Sequence, residues 1–217
     1  MKILKQTDAP IQFAGALIDN ITVGEDMSAF ERLADIAERY ADMHQWTALS
    51  EIPGVQNARR FFRAIGVDPT KRRPSSEALL NRALKRKELY NVNTLVDVGN
   101  WCSLEFLLPT CVYDAKNIQG DVIIRLGREG EGYEALNHRE MDFQDRLVLA
   151  DDEGPFGSPM TDSLRTATGL QTKKTIIGIW APEEFERLKL QKNIELFAQR
   201  SIEFCGGELV QVQIIPN

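Results

Sequence analysis

The spacing of apolar residues changes from a helical to a strand-like period midway along this 217-residue chain. In the first half it predicts four helices, over residues 28–43, 53–66, 75–87 and 94–107. The second half predicts strands over residues 121–126, 146–150, 175–180 and 209–215, with one long helix over 182–204. One or two short strands are also expected within residues 1–25. Helices and strands segregated in this way indicate an α+β fold and not alternating βαβ units.

We predict a single domain over residues 1–217, with helices mainly from the first half packed on a mostly antiparallel or mixed sheet from the second half. No internal repeat, low-complexity segment or Pro/Gly/Ser-rich linker divides the chain. No apolar run approaches the length needed to cross a bilayer, and the first residues lack the apolar stretch of a secretory signal. The three widely spaced cysteines do not suggest a disulfide framework. We therefore expect a cytoplasmic protein without membrane contact.

Positive charge is concentrated in one segment of an otherwise acidic protein. Residues 59–87 contain ten Lys or Arg and two acidic residues, a local charge of 10 − 2 = +8, whereas the whole chain carries −6. Such segregation is typical of a face that meets a polyanion, although a solvated helical face gives the same pattern. The residues predicted to bind RNA are Arg63, Lys71, Arg72, Arg73, Arg82, Lys85, Arg86 and Lys87.

Several kinds of catalytic site are disfavoured by the inventory of residues. Only two histidines are present, His44 and His138, and no Cys or His pair has metal-ligand spacing, so we expect neither a metal nor a cofactor. The sequence has no G-x-S-x-G nucleophile motif. Its GREGEG segment (127–132) fits a hairpin turn better than a phosphate loop. Cys111 is a candidate nucleophile if a histidine folds beside it; otherwise it is a small buried side chain.

Two groups of polar residues remain as candidates for a binding site. Asn93, Asp97 and Asn100 have the spacing of one helical face. The segment 154–166 is longer than a hairpin requires and rich in glycine and hydroxyl groups, which is typical of a loop that contacts a ligand, but equally of a solvated loop. The side chains from this segment that we predict to bind substrate are Ser158, Thr161, Asp162, Ser163 and Thr166.

Five segments in order resemble one known family. RRPSSEALLNRAL, NTLVDVGNW, PTCVYD followed by NIQGDVIIRLGREGE, LADDEGPFG and TDSLRT are similar to stand-alone relatives of the B3/B4 domain of the phenylalanyl-tRNA synthetase beta subunit. The likeness covers residues 59–182. It implies an α+β domain that, in the synthetase, hydrolyses tyrosine wrongly attached to the tRNA for phenylalanine.

The resemblance also implies site residues, with departures. The family's pocket asparagine corresponds to Asn100, which we expect to position a water or the terminal ribose. Gly99 stands where the synthetase commonly has threonine, Cys111 where it has histidine, and Gly178 near its glutamate. The implied catalytic residues are therefore Asn100 and Cys111. Asn93, Asp97 and Gly99 join the predicted substrate-binding set.

Three functions follow as alternatives. The first is a trans-acting aminoacyl-tRNA deacylase that binds the tRNA acceptor end and the amino-acid moiety, but does not charge tRNA. The second is a non-catalytic module that binds tRNA, RNA or an amino acid, since the family's histidine and glutamate are replaced. The third is a protein-interaction module that uses the basic segment. The amino acid, the tRNA and the oligomeric state are not determined by the sequence.

Overall fold

The helical and strand-like patterns fold into separate layers. The computed structural model describes residues 1–216. Its helices are α1 (Ser28–Met43), α2 (Val55–Ala64), α3 (Ser75–Leu84), α4 (Thr94–Phe106) and α5 (Arg187–Cys205). Its strands are β1 (Ile3–Lys5), β2 (Ile11–Asp19), β3 (Thr110–Asp114), β4 (Val122–Leu126), β5 (Gly132–Glu134), β6 (Glu140–Asp142), β7 (Leu147–Asp151), β8 (Gly154–Gly157), β9 (Thr175–Pro182) and β10 (Glu208–Ile215).

The strands form two four-stranded sheets and a small hairpin. One sheet is antiparallel, in the order β10-β2-β9-β3. The other has the order β1-β4-β7-β8, in which β1 runs parallel to β4 and the remaining pairs are antiparallel. Strands β5 and β6 pair with each other. The predicted α+β class and single domain are confirmed. We expected one sheet built from the second half of the chain, but the structure has two main sheets, and β1 and β2 from the first half contribute to them.

Alternation along β9 explains why both faces of the antiparallel sheet are covered. Ile177 and Ile179 pack with α4 and α5 on one face, while Ile176 and Trp180 pack with α2 and the second sheet on the other. Every residue of β9 is buried, which accounts for its continuous apolar run. Trp180 is fully buried, with the Phe13 ring at 4.6 Å and the Phe61 ring at 5.7 Å between centroids.

Several predicted helix ends were wrong. Helices α1 and α3 begin at Ser28 and Ser75 as predicted, but α3 ends at Leu84, three residues before the predicted end. Helix α2 was expected to start at Pro53, but it begins at Val55. Gly54, between the two, has left-handed backbone angles. Pro182 does not open α5, because it pairs with Ile11 as the last residue of β9, and α5 begins at Arg187.

Four strands were not predicted: β3, β5, β6 and β8. Each contains three to five residues, too few to show a clear alternation. Strand β3 matters most here, because it brings Cys111 and Tyr113 beside the segments predicted to form the site. Within residues 1–216, no helix combines the length and the hydropathy that crossing a membrane requires.

Candidate functional site

A cleft of about 340 Å³ opens along the free edge of β3, and we refer to it as the edge cleft. Strand β3 has a free edge because, in the part of the chain that the structure describes, it pairs only with β9. Helix α4 forms one wall, and the loop that follows β8 forms another. Apolar side chains dominate the lining: Val92, Val96, Val112, Leu136 and Ala167. The edge cleft can therefore accept a small molecule or moiety with an apolar part.

The backbone of β3 adds polar groups to the edge cleft. The Pro109 carbonyl accepts from the Trp180 N–H at 2.9 Å, and the Ala115 N–H donates to the Lys174 carbonyl at 2.9 Å. In an antiparallel pair, alternate residues bond to the same neighbour. Thr110 and Val112 therefore direct their N–H and C=O groups away from β9, toward the open edge. These fixed groups are available to a ligand.

Asn100 and Gly99, two of the site residues that the resemblance implies, line the edge cleft from α4. The Asn100 side chain is half-buried and has no hydrogen-bond partner among residues 1–216. Gly99 lets α4 lie against β3, because a Cβ at this position would come within 3.3 Å of the Val112 side chain. The Gly99 carbonyl accepts from the Thr110 hydroxyl at 3.0 Å. The amide of Asn100 thus faces the opening from a closely packed helix.

Asn93 and Asp97 lie near Asn100 in sequence but do not line the edge cleft. The Asn93 side chain caps α4 by accepting from the Val96 N–H at 3.0 Å. Asp97 is fully buried and accepts from the Asn91 side chain at 2.6 Å and the Val92 N–H at 3.1 Å. Burial raises the pKa of Asp97, and these two bonds oppose the rise. Both residues hold the wall in place and do not face a ligand.

Cys111 lines the edge cleft but lacks the partner that a nucleophile requires. His44 lies at the end of α1 and stacks on Tyr40, and His138 pairs with Glu134 on the exposed β5–β6 hairpin. Burial, and then the charge of Asp162, raise the pKa of the Cys111 thiol well above its ordinary value. The thiol is therefore neutral at pH 7. Cys111 contributes to the wall of the edge cleft and is not a thiolate nucleophile.

Asp162 is the carboxylate in the lining of the edge cleft. Its Oδ1 accepts from the Tyr113 hydroxyl at 2.5 Å, and Tyr113 is fully buried on β3. Burial raises the pKa of Asp162 to about 7, although the Tyr113 hydroxyl and the Ser158 N–H act in the opposite direction. The carboxyl group is therefore poised to exchange a proton near neutral pH.

The other predicted residues of this loop have structural bonds. The Ser158 hydroxyl closes a turn with the Thr161 backbone, Ser163 accepts from the Arg165 N–H at 2.9 Å, and Thr166 donates to the Phe156 carbonyl at 3.3 Å. These three side chains are buried and shape the loop. Thr161 lies outside the edge cleft and lines a second depression, which is described below. Of the loop residues predicted to bind substrate, Asp162 alone lines the edge cleft.

An ion pair fastens the same loop to the second sheet. Arg165 donates both guanidinium NH groups to the Asp151 carboxylate, each at 2.9 Å. Burial tends to raise the pKa of Asp151. Arg165 and the backbone N–H groups of Gln119 and Glu153 have the larger combined effect, so the pKa of Asp151 is lowered. A bidentate pair of this kind fixes orientation as well as position.

Beside the edge cleft runs a second depression, which we call the cationic groove. It has two parts, of about 450 and 480 Å³, that share Arg72 and Met160. Its basic residues are Lys71, Arg72, Arg73, Arg139 and Arg146, and its acidic residues are Asp68 and Asp145. Thr161 and Asn137 line this groove, whereas the adjacent Asp162 and Leu136 line the edge cleft. The two depressions are therefore direct neighbours.

The structure divides the predicted RNA-binding residues between the two ends of α3. Lys71, Arg72 and Arg73 precede the helix, in the cationic groove. Lys85, Arg86 and Lys87 follow its last turn, about 15 Å away at 1.5 Å per residue. Arg63, exposed on α2, lines neither part of the groove. Most of the predicted RNA-binding residues therefore lie in two groups, one at each end of α3.

Ion pairs reduce the free positive charge of the basic segment. Glu77, 1% exposed, accepts from Arg59 through both carboxylate oxygens at 2.7 and 2.8 Å, and from Arg73 at 3.2 Å. Arg86 pairs with Asp42 at 2.6 Å. Arg82 donates to the Glu88 carbonyl at 2.9 Å and stacks over the Tyr90 ring. Among residues 1–216, four cations of the groove make no ion pair, namely Lys71, Arg72, Arg139 and Arg146, and outside the groove the same holds for Arg63, Lys85 and Lys87.

Sequence reasoning missed Tyr113, Arg139 and Arg146. Tyr113 lies within PTCVYD, where a β-branched and aromatic run after a proline is a weak strand signal. Arg139 and Arg146 come from the hairpin region and meet residues 68–73 only in the folded chain. No group of three or more His, Cys, Asp or Glu side chains placed to hold a metal ion occurs in residues 1–216.

Comparison with known proteins identifies the family. The B3/4 domain model matches residues 57–206, more than half of the chain. The chain is 33% identical over 182 residues to the phenylalanine–tRNA ligase beta subunit of Neisseria meningitidis serogroup B (strain ATCC BAA-335 / MC58), covering 71% of this chain and 23% of that protein. It is 29% identical over 149 residues to the protein of the same name from Bartonella quintana (strain Toulouse), covering 57% and 18%.

The fold is similar to that of a solved structure. An N-terminal fragment of the phenylalanyl-tRNA synthetase beta subunit from Pyrococcus horikoshii matches with a TM-score of 0.51 at 12% identity, over all of this chain and 54% of that one. At this identity the likeness concerns the fold alone. The chain spans about a fifth of the length of the curated relatives described above. On the strength of the family match, the chain belongs to the B3/4 domain family.

Proposed function

We propose that this chain is a trans-acting aminoacyl-tRNA deacylase that releases a misattached amino acid in the cytoplasm without a cofactor. The observation that carries the proposal is the adjacency of the edge cleft to the cationic groove. A charged tRNA end has the matching pair of chemistries, since it joins a phosphodiester chain to a small, partly apolar amino-acid moiety. The groove binds phosphates, with little reading of sequence, while the cleft receives the amino-acid ester.

The proposed hydrolysis needs no strong nucleophile. An aminoacyl ester is activated, so the site has to hold a water molecule and provide donors for the oxyanion that develops. The Asn100 amide and the outward N–H groups of Thr110 and Val112 are suitable donors at the cleft. Their positions are fixed by α4 and by the pairing of β3 with β9. Cys111 takes no chemical part and contributes to the wall.

The first test is a deacylation screen with the purified chain. The substrates are tRNAs charged with each of the twenty amino acids, together with tRNA for phenylalanine mischarged with tyrosine. We expect hydrolysis of at least one, and we expect Asn100→Ala to slow it about tenfold because a donor is lost. Asn81→Ala, on α3 outside the cleft, is the matched control. Inertness of the wild-type chain toward the whole panel would contradict the proposal.

A second test addresses the route of the RNA. Arg72→Glu with Arg73→Glu is expected to weaken tRNA binding at least tenfold, measured by fluorescence anisotropy at several salt concentrations. Lys85→Glu with Lys87→Glu makes the same change of charge at the far end of α3, and we expect less than a threefold effect. The salt dependence is expected to become shallower in the first variant only. Equal losses in both variants would argue against the groove.

The alternative of a non-catalytic binder is favoured by one observation. Gly178 pairs with Cys111, so two of the three positions that depart from the family lie side by side and offer neither a carboxylate nor an imidazole. A binder predicts salt-sensitive association of tRNA with no release of amino acid. The deacylation screen separates the two functions directly.

A further inference from the structure

The carboxylate of Asp162 is held at the edge cleft by one oxygen and free at the other. Oδ1 accepts from the Tyr113 hydroxyl at 2.5 Å, whereas Oδ2 has no hydrogen-bond partner among residues 1–216. Asp162 is half-buried and lines the edge cleft, so a water molecule in the cleft can approach its carboxyl group. Asn100 lines the same cleft from α4. This arrangement gives a water molecule both an acceptor and an amide neighbour.

The backbone and the hydroxyl that position this carboxylate are themselves fixed. The Asp162 carbonyl accepts from the Leu136 N–H at 3.1 Å, and Asp162 forms a bridge with Gly157. The Tyr113 hydroxyl lies against Gly157 so closely that a Cβ there would come within 2.2 Å of it. Tyr113 therefore has little room to turn, and the direction of Oδ1 is set by packing.

The lining of the edge cleft contains two titratable side chains, Asp162 and Cys111. The groups that face Asp162 are Cys111 and Tyr113 from β3 and Tyr133 from β5, and burial raises the pKa of all three, so they are neutral at pH 7. The Tyr113 hydroxyl and the Ser158 N–H lower the pKa of Asp162, and no cation among residues 1–216 contributes to lowering it. Asp162 is thus the group in the cleft with a proton to exchange.

We propose that Asp162 is the catalytic proton acceptor of ester hydrolysis and that Tyr113 is a positioning residue for it. This inference rests on the proposed function. Asp162 Oδ2 takes a proton from water as the water oxygen bonds to the ester carbonyl carbon, and the carbonyl electron pair moves to its oxygen. When the tetrahedral intermediate collapses, the bond to the ribose oxygen breaks and the Asp162 proton passes to that oxygen. The carboxylate is restored, and the products are the amino acid and a tRNA with a free terminal hydroxyl.

The test uses single-turnover hydrolysis by the full chain between pH 5 and 9, on the charged tRNA hydrolysed fastest in the screen, with uncatalysed hydrolysis subtracted. Asp162→Asn keeps the shape and can still accept from Tyr113, so it is expected to fold. We expect it to lower the rate about 100-fold, leave tRNA affinity within twofold and abolish the fall in rate below pH 7. Asn81→Ala again serves as the control.

Tyr113→Phe provides a readout that a purely structural role would not move. It removes a hydrogen bond that lowers the pKa of Asp162, so the acidic limb of the pH profile is expected to shift to higher pH. Wild type and variant are assayed on the same substrate. A shift of the acidic limb therefore means that the titrating group belongs to the protein and not to the substrate. A limb that stays in place, a rate within threefold of wild type for Asp162→Asn, or a loss of affinity alone would overturn the inference.

The two proposals fail in different ways. If the wild-type chain hydrolyses none of the charged tRNAs, the deacylase and the role of Asp162 fall together. If the wild-type chain is active and Asp162→Asn is equally active, the deacylase stands and the role of Asp162 alone is removed.

Discussion

Replacing Gly178 with glutamate, the residue that the family resemblance places there, is expected to lower the free energy of unfolding by about 4 kcal/mol. A Cβ at this position would lie 2.3 Å from the Phe13 ring and 2.8 Å from the Cys111 sulfur. Phe13 is fully buried and packs against Trp180, so its ring has little room to yield. Glutamate adds a buried carboxylate without a partner to this overpacking. Urea unfolding monitored by tryptophan fluorescence measures the loss.

Further variants separate crowding at position 178 from the general effect of replacing a glycine with alanine. Gly178→Ala introduces crowding alone and is expected to cost about 2 kcal/mol. Gly169→Ala is the control, because no atom of residues 1–216 lies within 4 Å of its Cβ position, apart from its chain neighbours. The double variant Phe13→Leu/Gly178→Ala replaces the crowded ring with a smaller side chain. Its loss of unfolding free energy is expected to be less than the sum of the losses in the two single variants. If Gly178→Ala were as stable as Gly169→Ala, this account of the packing around Gly178 would be incorrect.

Removing the charge of Glu77 is expected to cost about 3 kcal/mol of unfolding free energy. Glu77 is 1% exposed and joins Arg59 on α2 to Arg73 before α3, so Glu77→Gln leaves a largely buried guanidinium without its counter-charge. The value lies at the lower end of the range for broken buried pairs because the Arg59 side chain remains 18% exposed. Chemical unfolding at pH 7 and fixed salt provides the measurement.

Asp42→Asn is the matched comparison for Glu77→Gln. It also removes one carboxylate from an arginine pair, but Arg86 and Asp42 are both 62% exposed. Solvent screens such a pair, so we expect a loss below about 0.5 kcal/mol. Similar losses in the two variants would mean that Glu77 does not hold α2 and α3 together.

Sequence reasoning succeeded where a pattern extends over several turns or a long strand. Helix α1 was placed with its observed ends, and β9 and β10 were found within two residues at each end. The starts of α2 and α5 were harder, because a proline fits a turn or the last residue of a strand as well as the first turn of a helix. Pro182 shows this directly: it pairs with Ile11 in the sheet.

The candidate site was predictable only in part, for a physical reason. Spacing placed Asn93, Asp97 and Asn100 on one helical face, but a polar side chain near a helix start also competes for backbone N–H groups. Asn93 and Asp97 are held by such local bonds, and Asn100 is left facing the cleft. Arg139 and Arg146 reach the basic turn only through tertiary folding, which local periodicity does not encode.

The Arg165–Asp151 pair has a consequence for binding thermodynamics. Together with the buried hydroxyls of Ser163 and Thr166, it sets the conformation of the Asp162 loop through contacts within the protein itself. A ligand that enters does not have to order this segment, so little backbone conformational entropy is lost on association. Association is then limited by desolvation and by the fit of the amino-acid moiety, and its heat-capacity change should reflect apolar surface buried at the cleft walls and not the folding of a loop.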